Sequence, residues 1–307
     1  MTQEQLLKNL TPPAGVIDVV IDTDAYTEID DLYAIAYLLL HREKFRVKGI
    51  CAAPFDKPAK AATPKLAMEK SYDTVKDLLQ RMQRSDIPVF YGSASYLPDE
   101  QIPVESPAAD FMAELAMSYS AEKPLYIVAI GAIPNVASAI LKNPAMKENC
   151  VVVWLGGHSA HLPRGVDEYN MRQDIAGARL LFGCGIPLVH VPCKGAADRF
   201  LTTQPELERW IKGKNALCDF LYRYTLEEAE KYATGKPWSR VIWDVIPVAW
   251  LLNHEHGFLE CAIRPAPVPG YDMEYHFEPN RHPICSVTYV RRDRLMTNLF
   301  ATLANAK

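Results

Sequence analysis

The chain has 307 residues, of which 49% are hydrophobic and 23% are charged, with a formal net charge of −4. These proportions are ordinary for a soluble globular protein, and there is no basic run interleaved with aromatic residues, which argues against a nucleic-acid partner. No run of about 18 apolar residues marks a membrane span, and the first residues lack the apolar core of a signal peptide. Seven scattered cysteines without a CxxC pair favour reduced thiols in a cytoplasmic protein over a disulfide framework or a zinc site.

The hydrophobic pattern predicts strands and helices in alternation along the chain. Val16 to Ile21 is an apolar, β-branched run typical of a buried strand, and Leu32 to Leu40 repeats apolar residues at helical spacing. Further strands are predicted over residues 45–53, 87–91, 125–130, 150–155 and 187–191. Further helices are predicted over residues 65–83, 107–118, 131–141, 174–182, 204–211, 217–232, 240–252 and 293–304.

This alternation predicts an α/β fold with an open, mostly parallel, Rossmann-like sheet and helices on both faces. The sequence contains no internal repeat, low-complexity tract or convincing domain boundary, so we expect a single domain over residues 1–307. We expect its core at about residues 14–255, followed by Pro-rich β segments and a final helix over residues 256–307.

A cluster of acids follows the first predicted strand: Asp22, Asp24, Glu28, Asp30 and Asp31. In an open α/β sheet ligands bind at the C-terminal ends of strands, and neighbouring carboxylates repel one another unless a positive charge lies between them. A Ca²⁺ or Mg²⁺ site accounts for the cluster, because these hard cations bind oxygen ligands. The alternative is that Asp30 and Asp31 only cap the following helix and favour its dipole, while the other acids are solvated.

Two later stretches each contain one candidate site residue. Residues 126–135 run from a strand into a helix through Gly131, which either forms a tight turn or belongs to a site. Asp244 is the only charged residue in the apolar stretch 241–250. Because a lone buried carboxylate is costly unless it is paired or binds a cation, Asp244 favours a metal site.

A long polar loop is predicted after the strand that ends at Leu155. It contains two glycines and several candidate site residues: His158, His161, Asp167, Glu168 and Asn170. A polar loop of this length at the C-terminal end of a strand favours a binding site over a spacer.

Four motifs occur in order over roughly residues 16–252. They are Asp22-Thr-Asp24 with Asp30-Asp31; Ile130-Gly-Ala-Ile-Pro-Asn-Val-Ala; Leu155-Gly-Gly followed by Glu168-Tyr-Asn170 and Asp174; and Trp243-Asp244. These motifs resemble four motifs of the inosine-uridine preferring nucleoside hydrolases. The first two resemble that family's aspartate fingerprint and its threonine-glycine-x-x-threonine-asparagine-x-alanine segment. The third resembles its glycine pair with glutamate-phenylalanine-asparagine and an aspartate, and the fourth its histidine-aspartate pair. One such match is weak, whereas four in order identify a divergent member of that family.

The resemblance implies Ca²⁺-dependent hydrolysis of the N-glycosidic bond of a ribonucleoside or related riboside, giving ribose and free base, a reaction of purine and pyrimidine salvage. It implies that the cation is bound by Asp24, Asp31, Asp244 and the backbone carbonyl of Ile130. Asp24 would also take a proton from the metal-bound water, whose pKa the cation lowers. Asp22 would support these ligands from behind.

The resemblance also implies that Asp30, Glu168 and Asn170 hold the ribose hydroxyls. An anionic pocket suits this reaction, because the sugar becomes oxocarbenium-like in the transition state. We expect direct attack of water with inversion, since no separate nucleophile is evident. The resemblance further suggests a homodimer or homotetramer.

The chain departs from the family pattern in two loops. Five residues separate Asp24 from Asp30, where the fingerprint usually has three with Pro-Gly, and we expect the additional Glu28 to be solvated rather than bound to the sugar. The second strand leads to residues 53–56 (Ala-Pro-Phe-Asp) instead of Gly-Asn, so a ribose contact is missing or replaced. The residues that would bind the metal and the 2′- and 3′-hydroxyls of the ribose are therefore expected to be retained.

The residues expected around the 5′-hydroxyl and the leaving group differ from the family pattern. The Asn that would contact the 5′-hydroxyl is Leu162 here, and the His that protonates a purine leaving group in part of the family is Trp243. Indole is a donor only and does not act as an acid at neutral pH, although it can stack on a flat base. Nearby candidates for leaving-group chemistry or substrate contact are His158, His161 and Tyr169, each of which has a structural role as its alternative.

Two other functions compete with hydrolysis. The first is a non-catalytic ribosyl- or nucleoside-binding protein that retains the metal pocket. The replacement of the family's acidic histidine by Trp243 agrees with such a protein. A dinucleotide-binding dehydrogenase is disfavoured, because acids rather than a Gly-rich phosphate cradle follow the first strand, and acids repel a pyrophosphate.

Overall fold

A computed structural model describes residues 1–306, in which strands and helices alternate along the chain. The strands are β1 Ile17–Thr23, β2 Phe45–Ala52, β3 Val89–Phe90, β4 Leu125–Ala129, β5 Cys150–Leu155, β6 Leu188–Val191, β7 Leu201–Thr202, β8 Arg240–Val241, β9 Leu259–Pro265, β10 Val268–Pro269, β11 Tyr275–His276 and β12 Pro283–Val290. The α-helices are α1 Gln3–Asn9, α2 Asp30–Leu40, α3 Pro64–Arg81, α4 Pro107–Leu115, α5 Pro134–Lys142, α6 Met146–Asn149, α7 Tyr169–Gln173, α8 Ile175–Gly183, α9 Gln204–Trp210, α10 Ala216–Ala233, α11 Val245–Leu251, α12 Asn253–His256 and α13 Arg292–Ala304. Short 3₁₀ turns cover Ala116–Ser118 and Ala197–Arg199.

Eight strands form the central sheet in the order β3-β2-β1-β4-β5-β6-β12-β9. Every neighbouring pair is parallel except β12 with β9, so the predicted mostly parallel α/β sheet is confirmed. The Pro-rich C-terminal segment contributes β9 and β12 to this sheet. The strand order reverses between β1 and β4, and such a switch point opens a crevice for a ligand at the C-terminal ends of the strands.

Residues of the central strands alternate between two hydrophobic cores. Val19 and Ile21 point to one face of β1, where the core includes side chains of α2, α11 and α13. Val20 points to the other face, where side chains of α4, α5 and α8 complete the second core. This period of two explains why the strands are apolar throughout, since both faces of the sheet are covered.

The predicted helix over residues 240–252 is wrong in its first part. Arg240 and Val241 form β8 and pair antiparallel with β7, and α11 begins only at Val245. Pro247 gives the physical reason, because proline is tolerated in the first turn of a helix but clashes with the preceding turn further in. Asp244 therefore lies at the N-terminal end of α11 rather than within a helix.

Within residues 1–306, every helix is too short or too polar to cross a membrane. All seven cysteines are free thiols, and most of them are buried. The reduced state of these thiols stays a prediction.

Candidate active site

The loops that follow β1, β4, β5 and β6 surround a cavity of about 330 Å³. Asp24 lines it from the β1 loop, Ile130 from the β4 loop, Leu155 from the end of β5 and Cys193 from the β6 loop. The cavity thus lies at the switch point between β1 and β4 and extends to the next two strands. Its volume falls in the range of small-ligand sites.

Three carboxylates form a compact cluster in this cavity. One oxygen each from Asp30, Asp31 and Asp244 lies within 4.8 Å of the others, and all three side chains are buried. Asp30 and Asp31 open α2, and Asp244 precedes α11, which packs against α2. The Thr23 hydroxyl donates to Asp31 at 2.5 Å and fixes its orientation.

The capping alternative for Asp30 and Asp31 is wrong. The N-cap of α2 is Ile29, and no side chain accepts a capping hydrogen bond there. Both aspartates instead line the cavity. Neither aspartate caps α2, although both lie in its first turn, where their charge favours the helix dipole.

The electrostatics of the cluster call for a positive charge. Burial, followed by the charge of Glu28, raises the pKa of Asp30 to about 6. Burial and the neighbouring carboxylates raise the pKa of Asp31 and of Asp244 well above the ordinary value. Buried carboxylates with only oxygen donors fit a hard divalent cation, which would hold all three in the ionised form.

Asp24 lies in the same cavity but outside the compact trio. It accepts a hydrogen bond from the Thr27 hydroxyl at 2.7 Å, and burial raises its pKa to about 8. A Cβ at residue 131 would lie 3.1 Å from the Asp24 carboxyl, so Gly131 permits a close approach of the β4 loop. Gly131 thus belongs to the construction of the site and is more than a turn residue.

Asp22 lies behind the cavity at the end of β1. Its Oδ1 accepts a hydrogen bond from the Asn135 amide at 2.8 Å, and its Oδ2 has no partner within the described residues. Burial raises the pKa of Asp22 to about 7. Asn135 also donates to the Ala52 carbonyl at 3.0 Å, so it ties the ends of β1 and β2 together.

Glu168 and Asn170 face the cavity and also organise its backbone. The Glu168 carboxylate accepts hydrogen bonds from the backbone N–H groups of Gly157, Asn170 and Met171 at 2.8, 3.0 and 3.0 Å. The Asn170 side-chain amide donates to the carbonyls of Leu155 and Ile130 at 3.0 and 3.3 Å. A carbonyl has two lone pairs, so the Ile130 oxygen keeps one for a further partner.

Aromatic and charged side chains form the rim of the cavity. Trp243 is half-buried, and the Tyr169 hydroxyl donates to the Asp56 carbonyl at 3.1 Å, which brings the β2 loop to the rim. Glu28 also lines the cavity, is about a third exposed, and forms ion pairs with Arg240 and, at 3.4 Å, with Lys57. The longer β1 loop is thereby fastened to two distant segments.

Of the three predicted leaving-group candidates, His158, His161 and Tyr169, the loop after β5 brings one histidine to the cavity. His158 is buried and lines the cavity, whereas His161 lines a neighbouring cavity beside His190. Leu162 does not line the cavity. Tyr169, at the start of α7, is the other candidate that the structure brings to the site.

Sequence reasoning missed three cavity residues, the first of which is Thr27 in the β1 loop. The other two are Cys193 and Lys194. They follow β6, and backbone hydrogen bonds fix this segment beside the β5 loop: Cys193 N–H donates to the Gly157 carbonyl at 2.9 Å, and Ser159 N–H donates to the Lys194 carbonyl at 3.0 Å. The signal available for these two residues was their position directly after a parallel strand, because such residues lie at the same edge of the sheet as the acids that follow β1.

Comparison with known proteins shows the family. The family model for inosine-uridine preferring nucleoside hydrolases matches residues 19–278, and no curated protein sequence matched significantly. Among solved structures, the plant nucleoside hydrolase PpNRh1 is similar with a TM-score of 0.75 and 18% identity, covering 94% of this chain and 99% of its own. A purine-preferring ribonucleoside hydrolase from Gardnerella vaginalis has a TM-score of 0.74 and 17% identity, covering 94% and 98%.

A third solved structure has the same fold. An inosine-uridine preferring nucleoside hydrolase from Bacillus anthracis has a TM-score of 0.67 and 17% identity, covering 94% of this chain and 99% of its own. At these identities the structural likeness establishes the fold, and the family model establishes the membership. This chain belongs to the inosine-uridine preferring nucleoside hydrolase family and is an N-glycosyl hydrolase.

Proposed function

We propose that this protein is a Ca²⁺-dependent hydrolase of a ribonucleoside or related riboside. The observation that carries the proposal is the buried carboxylate trio of Asp30, Asp31 and Asp244, placed beside Asp24 in a cavity at the switch point of the sheet. A donor set made of oxygen atoms alone suits a hard divalent ion. Asp24, Asp31, Asp244 and the Ile130 carbonyl remain the proposed ligands, and the trio adds Asp30 as a neighbour.

A bound cation would supply positive charge that acidifies water and orients the ribose hydroxyls. The Asp24 carboxylate, kept ionised by that positive charge, would take a proton from the attacking water. The water oxygen forms a bond to C1′ while the C1′–N bond breaks, and the base leaves with the electron pair of that bond. The departing base takes up a proton from solvent, and the proton on Asp24 returns to solvent, so that the products are ribose and the neutral base. The anionic walls stabilise the positive charge that develops on the sugar.

The remaining residues orient the substrate in this proposal. Asp30 accepts a hydrogen bond from a ribose hydroxyl, and Glu168 and Asn170 shape the sugar pocket through the backbone groups that they hold. Trp243 and Tyr169 flank the leaving base, where an aromatic face can stack on it. Asp22 supports the ligands from behind through Asn135.

Two finer properties are also proposals. The free, mostly buried thiols support a reducing, cytoplasmic location. A role in nucleoside salvage follows from the proposed reaction, which would release ribose and a free base. We also propose a homodimer or homotetramer, which sedimentation of the full chain tests directly.

The function is tested by ribose release from purine, pyrimidine and nicotinamide ribosides, with the protein first stripped of metal and then supplied with Ca²⁺. Release that depends on Ca²⁺ is the expected result. Saturable riboside binding without release from any member of the panel would contradict hydrolysis and leave a binding protein.

A further inference from the structure

The β5–β6 end of the cavity carries one basic side chain, Lys194, in a pocket otherwise dominated by acids. Lys194 lines the cavity and is exposed, and among the described residues its ammonium group forms no ion pair. The acid nearby on the β5 loop, Asp167, is already paired with Arg164 at 2.9 Å and with Arg172 at 3.5 Å. The lysine is therefore available to an anion that enters the cavity.

His158 offers a second donor next to Lys194. Its Nδ1 accepts a hydrogen bond from the Lys194 backbone N–H at 3.3 Å. Burial and the Lys194 charge lower the pKa of His158, against the opposing charges of Asp167 and Asp198. The ring is therefore neutral at neutral pH and carries its proton on Nε2, which leaves one N–H to donate.

The backbone holds these two donors in a fixed arrangement. The hydrogen bonds that join residues 157–159 to residues 193–194 form a short ladder between the β5 and β6 loops. Gly195 continues this segment with a φ of +92°, and a Cβ there would lie 2.5 Å from the Ser159 hydroxyl. A side chain at that position would push the two loops apart, so the glycine preserves the pairing of Lys194 with His158.

We propose that this end of the cavity binds an anionic substituent of the ribosyl substrate, either a phosphate on C5′ or a carboxylate on the base. The proposal rests on the hydrolase function proposed above and names its substrate class. A neutral nucleoside offers the Lys194 ammonium no charged partner, whereas either anion accepts charge-assisted hydrogen bonds from an ammonium and an imidazole N–H. The alternative role for Lys194 is to offset the acid trio, which would affect neutral and anionic substrates alike.

The test compares uridine, uridine 5′-monophosphate and orotidine as substrates of the full chain with Ca²⁺, for the wild type and for Lys194→Met. We expect kcat/KM of the wild type for one anionic substrate to exceed that for uridine by about tenfold or more, since a hydrogen bond to a charged group is worth about that factor at least. Lys194→Met should lower kcat/KM for the preferred anionic substrate by about tenfold more than it lowers kcat/KM for uridine. Preference for the monophosphate places the anion on C5′, and preference for orotidine places it on the base.

Lys214→Met is the matched control, because Lys214 is also exposed and unpaired within the described residues but lies outside the cavity. It should alter none of the three rates. Equal losses for uridine and the anionic substrates in Lys194→Met, or a wild-type preference for uridine, would overturn the proposal.

Binding of ribose 5-phosphate, with ribose as its neutral counterpart, and of orotate separates this proposal from the hydrolase function. Calorimetry with the Ca²⁺-loaded protein should show one of the two anions binding at least about tenfold more weakly to Lys194→Met than to the wild type. If anion binding depends on Lys194 but no glycosidic bond is cleaved, the hydrolase function fails and the anion site stands. If uridine is hydrolysed and neither anion binds, the function stands and the anion site is overturned.

Discussion

Removing one carboxylate of the trio should have opposite effects on stability with and without Ca²⁺. In Asp244→Asn the cation-free protein loses a buried charge that lies close to Asp30 and Asp31. We expect it to melt at a higher temperature than the cation-free wild type. The same substitution removes a proposed ligand, so the stabilisation produced by Ca²⁺ should nearly disappear.

The magnitude follows from the spacing of the carboxylates. Two unit charges at the 4.8 Å limit of the cluster repel by about 3 kcal/mol at an effective dielectric constant of about 20. Partial protonation relieves some of this, so we expect a gain of about 1–3 kcal/mol, or a few degrees in Tm. Ca²⁺ at about 100 times its Kd stabilises the wild type by about 2.7 kcal/mol, and a hundredfold weaker Kd reduces this to about 0.4 kcal/mol.

Differential scanning calorimetry at about pH 8, where more of these carboxylates are ionised than at lower pH, measures both effects in EDTA and in Ca²⁺. Asp174→Asn is the matched control, because Asp174 is also buried with a raised pKa but caps α8 outside the cavity. It should keep the full response to Ca²⁺. The reasoning fails if Asp244→Asn retains the wild-type Ca²⁺ shift, or if Asp174→Asn loses it.

Three further predictions follow from the same site. In the cation-free protein the pKa values of Asp24 and Asp30, about 8 and about 6, lie above their unfolded values, so the stability that these groups contribute is present at low pH and is lost as the pH rises through about 6 to 8. The Ca²⁺-induced rise in Tm should therefore be larger at about pH 8 than at about pH 5.5. An equal rise at the two pH values would contradict this prediction. Gly131→Ala should displace the Asp24 carboxyl and lower kcat roughly ten- to hundredfold with little change in Tm, whereas Gly183→Ala, where a Cβ meets open space, should not. Trp243→Ala should raise KM roughly tenfold through lost stacking on the base, and Trp210→Ala, outside the cavity and half-exposed, should leave KM unchanged.

The sequence was sufficient for the sheet and for the acids because both depend on local patterns. Apolar runs such as Cys150–Leu155 are buried on both faces and coincide with the strand as predicted. The acids after β1 lie at the C-terminal edge of a parallel sheet, and that topology alone brings them together with Ile130 and Leu155. Asp244 joins them although it is distant in sequence, because α11 packs on α2.

The features that sequence reasoning missed depend on long-range pairing. Glu28 and Arg240 are 212 positions apart, and neither residue alone indicates an ion pair. Lys194 has no motif around it and reaches the cavity only because its backbone pairs with the β5 loop. The first turn of α11 was misplaced because the apolar pattern outweighed Pro247, whose ring prevents the helix from extending to Arg240.

The most direct test of the central claim is the Ca²⁺-dependent rate of ribose release by the wild type and by Asp24→Ala, measured on the best riboside of the panel. We predict that the wild type releases ribose only with the cation, and that Asp24→Ala loses at least about a hundredfold of that rate while it remains folded. Release by Asp24→Ala at the wild-type rate would contradict the proposed role of this cavity in hydrolysis.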